Sequence, residues 1–287
     1  MEQWLIDNQV WCRLGCFIVA FSLLACFETF YAWRPWVTSR YLRIVRHLSL
    51  NIFSKILLRA LFPFFAVSFA VNFQHKSMGV LHHPDWPYAV RIILAFILLD
   101  FIMYLQHRIL HKYQFLWRIH RIHHMDKELD VSTSLRFHPL EEIYSMGVKI
   151  MGIAFLGALP LSVLLYEIMY NLIVMFAHVN IQFKFKNDRF LRKLIITPGM
   201  HRIHHSVYLP ETNSNYGFVL SWWDKLLGTY TLVCTSGERN LALGLEEYQD
   251  KKFQTFENML LLPFNFKQLR LKPKKKRKLK FGIEKNQ

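Results

Sequence analysis

The stretch DFIMYLQHRILHKYQFLWRIHRIHH, residues 100–124, carries most of the information about fold and site because it joins an apolar run to two histidine clusters. His107 and His111 are four residues apart, and HRIHH at 120–124 adds three more histidines. The same five letters return at 201–205. Residues three and four apart share one face of a helix. If these segments are helical, each cluster aims its imidazoles at one point.

The clusters predict a metal centre with two ions. Neutral imidazole is a common transition-metal ligand. Eight clustered histidines exceed the four ligands of a closed structural zinc site. Such a site also often uses thiolates, which these clusters do not supply. Zinc stays a competitor because it also accepts imidazole. Isolated surface or core histidines would not explain this number and spacing in a chain with 14 histidines. The predicted ligands are His107, His111, His120, His123, His124, His201, His204 and His205.

The composition predicts a membrane protein. The 287 residues are 53% hydrophobic and include 25 phenylalanines, and the mean hydropathy is +0.15, which is too apolar for an average soluble domain. The net charge of +16 would indicate nucleic acid in a soluble protein. Beside long apolar runs it instead indicates cytoplasmic loops and anionic headgroups, so no nucleic-acid partner is expected.

The apolar runs predict an all-α integral membrane fold with about four transmembrane helices, as two single spans or a pair plus a helical hairpin. The runs are 14–33, 52–73 with a kink at Pro63, 88–105, and a hairpin over 143–181.

Basic residues predict the orientation of these spans. Four arginines at positions 34, 40, 43 and 46 follow the first run, so the positive-inside rule places that loop in the cytoplasm. The third run then ends in the cytoplasm, where a helical cap carries the histidine boxes, and the C-terminus lies on the same side.

Three segments are expected along the chain. Residues 1–87 hold N-terminal spans and loops, 88–235 form the catalytic domain, and 236–287 contain a surface helix over 242–262 followed by a basic tail, KQLRLKPKKKRKLK at 267–280. The tail is expected to contact headgroups.

Three further residues lie near the clusters in this scheme. His178, at the exit of the hairpin and at the depth of His107, is predicted as a ninth ligand, the alternative being an interfacial histidine without a partner. Asp100 lies two turns before His107 and would either hold a ligand imidazole by a hydrogen bond or pair with an arginine. His138 precedes a proline and is either an extra ligand, a group supporting the ligands, or a surface turn residue.

Over residues 100–230 the chain is similar to the fatty acid hydroxylase superfamily, also called the sterol desaturase family. The resemblance rests on the order and spacing of these boxes: DFIMYLQHRILH at 100–111, HRIHH at 120–124, FHPLE at 137–141, HVN at 178–180, HRIHH at 201–205, NYG at 215–217 and WDKLLGT at 223–229.

The resemblance implies a membrane-bound non-haem di-iron oxygenase that hydroxylates or desaturates a C–H bond of a lipid such as a sterol or fatty acyl chain. It implies that the eight clustered histidines and His178 bind two iron ions, which zinc can displace in purified protein. Gln182 stands where some members have another histidine. The substrates would be a bilayer lipid and O₂, and electrons would come from a separate protein because no cytochrome domain is fused.

Two other functions are compatible with parts of the pattern. One is a non-catalytic membrane protein that binds metal or lipid, against which the complete histidine boxes argue. The other is a zinc-dependent membrane hydrolase, which would need a carboxylate base, whereas the sequence contains no HExxH. The membrane itself is expected to be a bacterial inner membrane or the endoplasmic reticulum.

Overall fold

The fold was analysed in a computed structural model that describes residues 1–62, 65–82 and 85–265. These residues form helices and loops, and their β-structure consists of two isolated bridges, Ile195 with Leu220 and Ser206 with Leu243. The predicted all-α class is therefore confirmed.

The α-helices fall into a long and a short set. The long helices are α2 (Gln9–Tyr31), α3 (Arg40–Leu61), α4 (Ala66–Gln74), α5 (Tyr88–Lys112), α6 (Gln114–His124), α7 (Pro139–Leu156) and α8 (Pro160–His178). The short helices are α1 (Glu2–Asp7), α9 (Phe185–Leu191), α10 (Pro198–His204), α11 (Leu209–Thr212), α12 (Trp222–Leu226) and α13 (Phe256–Leu261). The 3₁₀ turns are Val131–Leu135, Glu246–Tyr248, Lys251–Gln254 and Leu262–Phe264.

Four helical segments are long and apolar enough to cross a membrane. They are Gln9–Tyr31, Arg40–Gln74, Tyr88–Lys112 and Pro160–His178, in agreement with the predicted number. The expected kink at Pro63 lies outside the described residues. The predicted hairpin is the α7–α8 pair, in which the turn begins at Gly157 with φ +64, a value that a residue without Cβ adopts most easily.

The apolar core holds the spans together because α4 and α5 both pack against α7 and α8. One face of α5 supplies Leu99 and Met103, and α7 and α8 supply Ile153 and Tyr166, all buried. Residues at i and i+4 share a helix face, so the spacing of Leu99 and Met103 directs both into the core. The same face of α5 continues to His107, which places the histidines at the end of this core.

Buried charges connect the spans to the helices beyond them. Glu28, near the end of α2, accepts hydrogen bonds from the backbone N–H of Asn180 at 2.7 Å and of Val131 at 2.8 Å. Its other oxygen accepts from Arg40 at 2.8 Å. A buried carboxylate needs such partners to offset its lost hydration, so Glu28 fixes α2 against the loop after α8.

The predicted continuous helix over 242–262 is wrong. This region instead contains short 3₁₀ turns and the six-residue helix α13. Leu241, Leu243 and Leu245 are all buried, and a spacing of two residues is the period of extended chain rather than helix. Gly244 between them has φ +93, which further excludes a helix. The basic tail lies outside the described residues.

Candidate metal centre

Nine histidine side chains converge in two groups. In each group the potential ligand nitrogens all lie within 4.8 Å of one another. The first group is His107, His111, His120, His124 and His204, and the second group is His123, His178, His201 and His205. Every predicted ligand, including His178, therefore lies in one of the two groups.

The two HRIHH boxes each contribute to both groups, so the prediction that each cluster aims its imidazoles at one point is wrong for these boxes. In α6, His120 and His124 are one turn apart and join the first group, while His123 turns towards the second. Around α10 the pattern is reversed, because His201 and His205 join the second group and the residue between them in the box, His204, joins the first. Residues at i and i+4 share a face and i+3 lies beside it, so the box spacing itself divides the ligands.

Local sequence fixes where α10 begins. Thr197 is its N-cap, and its side chain accepts a hydrogen bond from the backbone N–H of Met200 at 3.3 Å. Pro198 occupies the first turn, where its missing N–H costs nothing. His201 consequently lies in the first turns of α10 and faces the end of α8.

Backbone carbonyls orient three of the imidazoles. The Nδ1 atom of His107 donates to the Tyr216 carbonyl at 2.7 Å, and Nδ1 of His204 donates to the Ser214 carbonyl at 2.7 Å. Nδ1 of His178 donates to the carbonyl one turn earlier at 2.7 Å. A carbonyl only accepts, so Nδ1 carries the proton and a neutral ring presents an unprotonated Nε2 to the centre.

Imidazole nitrogens face each other within each group. Nε2 of His107 lies 3.2 Å from Nε2 of His204, and in neutral rings neither atom has a proton to share. Within the second group, Nε2 of His178 lies 3.1 Å from Nε2 of both His123 and His201. In the first group the opposed lone pairs repel, and a shared cation would turn that repulsion into ligation. The nitrogens of both groups therefore fit metal ions.

The electrostatics also favour the ligating form of the rings. Burial lowers the pKa of His123, His124, His201 and His205 well below 6.5, with the neighbouring histidines adding to the effect. Removal from water penalises the imidazolium ion more than the neutral ring. The neutral ring is the form that binds a metal, so the centre is prepared for a cation at neutral pH.

A carboxylate lies behind one ligand. His120 Nδ1 is 2.6 Å from Oε1 of Glu141, and both side chains are buried. Burial raises the pKa of Glu141 well above its usual range and lowers that of His120. A cation bound at His120 Nε2 would oppose the rise in the pKa of Glu141, because it stabilises the carboxylate that accepts the Nδ1 proton, and it would further disfavour the protonated form of His120.

An apolar cavity adjoins both groups. Its walls combine five of the histidines with four apolar side chains, Phe137, Val174, Ala177 and Phe218. Phe218 stacks on His107 with ring centroids 4.8 Å apart, and Phe137 stacks on His123 at 4.4 Å. An apolar molecule in this cavity would therefore lie directly against the histidines.

Asp100 does not contact a histidine of either group. Its carboxylate accepts hydrogen bonds from the backbone N–H groups of Val219 at 3.2 Å and Leu220 at 3.0 Å, and from Trp223 Nε1 at 2.9 Å. Among the residues that the structure describes it also forms no ion pair with an arginine, so neither predicted role is seen there. Asp100 instead fixes the backbone beside Phe218, which stacks on the centre.

His138 and Gln182 also lie outside the two groups. His138 caps α7, where Nδ1 accepts from the backbone N–H of Leu140 at 3.1 Å and Nε2 donates to the Leu260 carbonyl at 3.2 Å. Both ring nitrogens are occupied, so His138 does not replace the missing histidine at position 182. Gln182 accepts from Arg202 at 2.7 Å and takes part in a separate polar network.

Sequence reasoning missed the groups that orient the imidazoles. Glu141 closes the FHPLE box, and the Tyr216 carbonyl lies in the NYG box. Asp224, in the WDKLLGT box, accepts from the backbone N–H of Tyr216 at 2.8 Å and of Gly217 at 2.9 Å. Burial raises the pKa of Asp224 to about 6. These boxes carry the family resemblance, but the contacts of their side chains can be seen only in the folded chain.

Comparison with known proteins agrees with this geometry. Residues 92–229 match the fatty acid hydroxylase family. An ornithine lipid hydroxylase of Rhizobium tropici is 36% identical over 149 residues, which is 51% of this chain and 44% of that protein. The alkylglycerol monooxygenase of Homo sapiens is 32% identical over 137 residues, 47% of this chain and 29% of that protein.

A more distant relative is a very-long-chain aldehyde decarbonylase of Oryza sativa subsp. indica, 30% identical over 158 residues, 54% of this chain and 59% of that protein. The chain thus spans less than half the length of the first two relatives. No solved structure matches it. The matched segment includes all nine histidines of the two groups. Residues 92–229 are therefore similar to the fatty acid hydroxylase family.

Proposed function

We propose that this protein is a membrane-bound non-haem di-iron oxygenase that hydroxylates or desaturates a C–H bond of a lipid. The observation that carries the proposal is the convergence of two groups of imidazoles, with opposed nitrogens, beside an apolar cavity. The names of the relatives, two of which are a lipid hydroxylase and a monooxygenase, support oxygen chemistry on a lipid.

The nine histidines would hold the two irons, one at each group. Bound iron supplies the activation of O₂ that attack on an unactivated C–H bond requires. The protein's own contribution is ligation by neutral nitrogens and orientation of each ring. The Tyr216 and Ser214 carbonyls and the Glu141 carboxylate hold His107, His204 and His120 in the tautomer that presents Nε2.

The apolar cavity has a volume of about 10 Å³, so the reacting part of the lipid would reach the histidines by moving these apolar walls apart. Phe137, Val174 and Phe218 offer contacts to an acyl or sterol chain but no hydrogen-bond partner. Such walls exclude water and press the C–H bond towards His107 and His123, on which the two phenylalanines stack. Excluding water also limits unproductive consumption of oxygen and electrons.

The reaction balance defines the partners. Hydroxylation converts R–H, O₂, two electrons and two protons into R–OH and water. Desaturation uses the same O₂, two electrons and two protons, and it converts two adjacent C–H bonds into an alkene while O₂ becomes two waters. A separate electron-donor protein would supply the electrons. The four arginines after the first span support an orientation in which the histidines and the C-terminus face the cytoplasm of a bacterium, or the cytoplasmic side of the endoplasmic reticulum.

The test combines metal content with product analysis. The protein is produced in iron-replete cells, and iron and zinc per chain are measured after mild extraction. Membranes containing it are supplied with ¹⁸O₂ and a reductase system, and the lipid extract is searched for an added labelled oxygen or a new double bond. We expect about two irons per chain and a changed lipid.

Zinc alone with an unchanged lipid extract would overturn the proposal and favour a zinc hydrolase or a non-catalytic protein. The matched control is His138→Gln, which alters a buried histidine outside both groups and is expected to keep iron and product.

A further inference from the structure

A second cavity lies away from the apolar one, between the start of α3 and the loop after α6. Four basic side chains line it, from Arg43, Arg46, Lys127 and Arg136, together with two acidic ones, from Asp126 and Glu128. The cavity is thus polar and carries an excess of positive charge. None of the nine histidines of the metal centre lines it.

The acidic side chains are already occupied by other partners. Asp126 accepts from Arg43 at 2.6 and 2.9 Å and from Thr133 at 2.8 Å. Glu128 accepts from Thr38 at 2.6 Å and from the backbone N–H of Val37 at 3.0 Å. Arg43 also donates to Asp130 at 2.7 Å. Asp126 and Asp130 thus pair with Arg43, and Glu128 bonds to Thr38 and Val37, so among the described residues these carboxylates hydrogen-bond to neither Arg46 nor Arg136.

Arg136 is buried with 1% of its surface exposed, and its hydrogen-bond partners are all neutral. Its Nε donates to the Ile122 carbonyl at 2.8 Å, and Nη1 donates to Gln254 at 2.7 Å and to His47 at 3.2 Å. Its Nη2 has no hydrogen-bond partner among the described residues. The Asp126 carboxylate attracts this guanidinium without a hydrogen bond. A buried guanidinium with an unpaired N–H group is costly, since that group has lost its hydration.

Arg46 stands at the partly exposed side of the same cavity. Its side chain forms no hydrogen bond or ion pair with the described residues, and it lies close enough to Arg136 for the two positive charges to repel. Two such guanidiniums lining one cavity would be stabilised by a shared anion. Guanidinium groups bind phosphate and carboxylate oxygens through paired N–H donors.

We propose that this cavity is a binding site for a phosphate group, held between Arg46 and Arg136. The phosphate would be either free inorganic phosphate or the headgroup of an anionic lipid, since both present the same oxygens. Arg136 also holds the Ile122 carbonyl in α6, next to His123. Occupation of the site would therefore stabilise the helix that carries three histidines of the metal centre.

The test measures binding directly and needs no turnover. Purified full-length protein in a neutral detergent is dialysed against ³²P-labelled inorganic phosphate, and separately titrated with short-chain phosphatidic acid and phosphatidylcholine. We expect saturable binding of one of the two phosphate probes and none of the zwitterionic lipid. Tighter binding of inorganic phosphate identifies a free-anion site, and tighter binding of phosphatidic acid identifies a headgroup site.

The variants locate that binding. Arg46→Gln should weaken binding about tenfold or more, because it removes a charged donor, while Lys252→Gln, which removes an exposed charge outside the cavity, should leave binding unchanged. Arg136→Gln should weaken it at least as much, and Arg46→Gln keeps the test valid where loss of the buried arginine impairs folding. The proposal is overturned if neither phosphate probe binds. It is also overturned if the Arg46→Gln and Lys252→Gln variants bind phosphate equally well.

Discussion

In the first histidine group four of the five imidazoles have a hydrogen-bond partner at Nδ1, whereas in the second group only one of four does. The partners in the first group are the Tyr216 and Ser214 carbonyls, Glu141 and the side-chain oxygen of Asn213, the last at 3.3 Å from His111. In the second group only His178 is anchored, through the Val174 carbonyl. The Nδ1 atoms of the other three members, His123, His201 and His205, are buried and have no hydrogen-bond partner within the described part of the chain.

The two groups therefore differ in how their rings are held, as well as in having five and four histidines. An imidazole fixed by a hydrogen bond behind it loses little orientational freedom when it binds a metal, and the acceptor also makes the ligating nitrogen more basic. The second group depends on packing instead, such as the Phe137 ring on His123. We infer that the first group binds its metal more tightly, and each prediction below examines this difference.

The largest effect is expected from deleting one ligand in each group. His204→Ala removes a nitrogen and its anchor from the first group, and His123→Ala removes one from the second. Both should lower the rate of product formation more than about 100-fold, because the proposed reaction needs both irons. Each variant should still insert into the membrane and retain about one metal ion per chain. Metal analysis and product assays measure this, and normal turnover in either variant would contradict the ligand assignment.

A smaller loss is expected from Glu141→Gln. The substitution keeps the shape of the side chain but removes the negative charge 2.6 Å from His120 Nδ1. Loss of such a supporting carboxylate typically weakens metal binding or activity about 10- to 100-fold. Titration of metal-free protein should show the loss for one of two ions only. Equal weakening of both ions would mean that the groups are not held independently. The control is Glu142→Gln, which removes a neighbouring carboxylate that pairs with Lys55 and should leave the binding of both ions unchanged.

Metal removal should distinguish the groups without any mutation. A chelator should extract one ion about tenfold faster than the other, as the difference in outer hydrogen bonds predicts. Combining the chelator with Glu141→Gln should accelerate the slow phase and leave the fast phase unchanged. A single extraction rate in the unaltered protein would show that the unpartnered Nδ1 atoms have no influence.

Much of this arrangement follows from sequence, and the remainder depends on contacts between distant residues. The apolar runs predicted the spans. Helical spacing predicted that the imidazoles of each cluster converge, but not that each HRIHH box divides its histidines between two groups. Spacing within a helix does not, however, reveal what lies behind a ring. Glu141 reaches His120 from another helix, and the Tyr216 carbonyl reaches His107 from a loop more than a hundred residues later.

The same limit explains the role of Asp100. It lies on the histidine face of α5, as its spacing predicted, but its partners are backbone N–H groups of residues 219 and 220. These are not visible in a local pattern.

The smallest effect is expected from His138→Ala, three residues before Glu141 in the chain. His138 is as buried as the ligands, and its pKa is lowered to about 4 by that burial. Its nitrogens, however, cap α7 and bind the Leu260 carbonyl. Removing the cap should cost about 1 kcal/mol of stability, measured by denaturation in detergent, with both metals retained. Loss of a metal in this variant would show that proximity alone, rather than membership of a group, determines metal binding. Retention would show that a buried histidine near the centre contributes to the fold alone when both of its nitrogens already have partners.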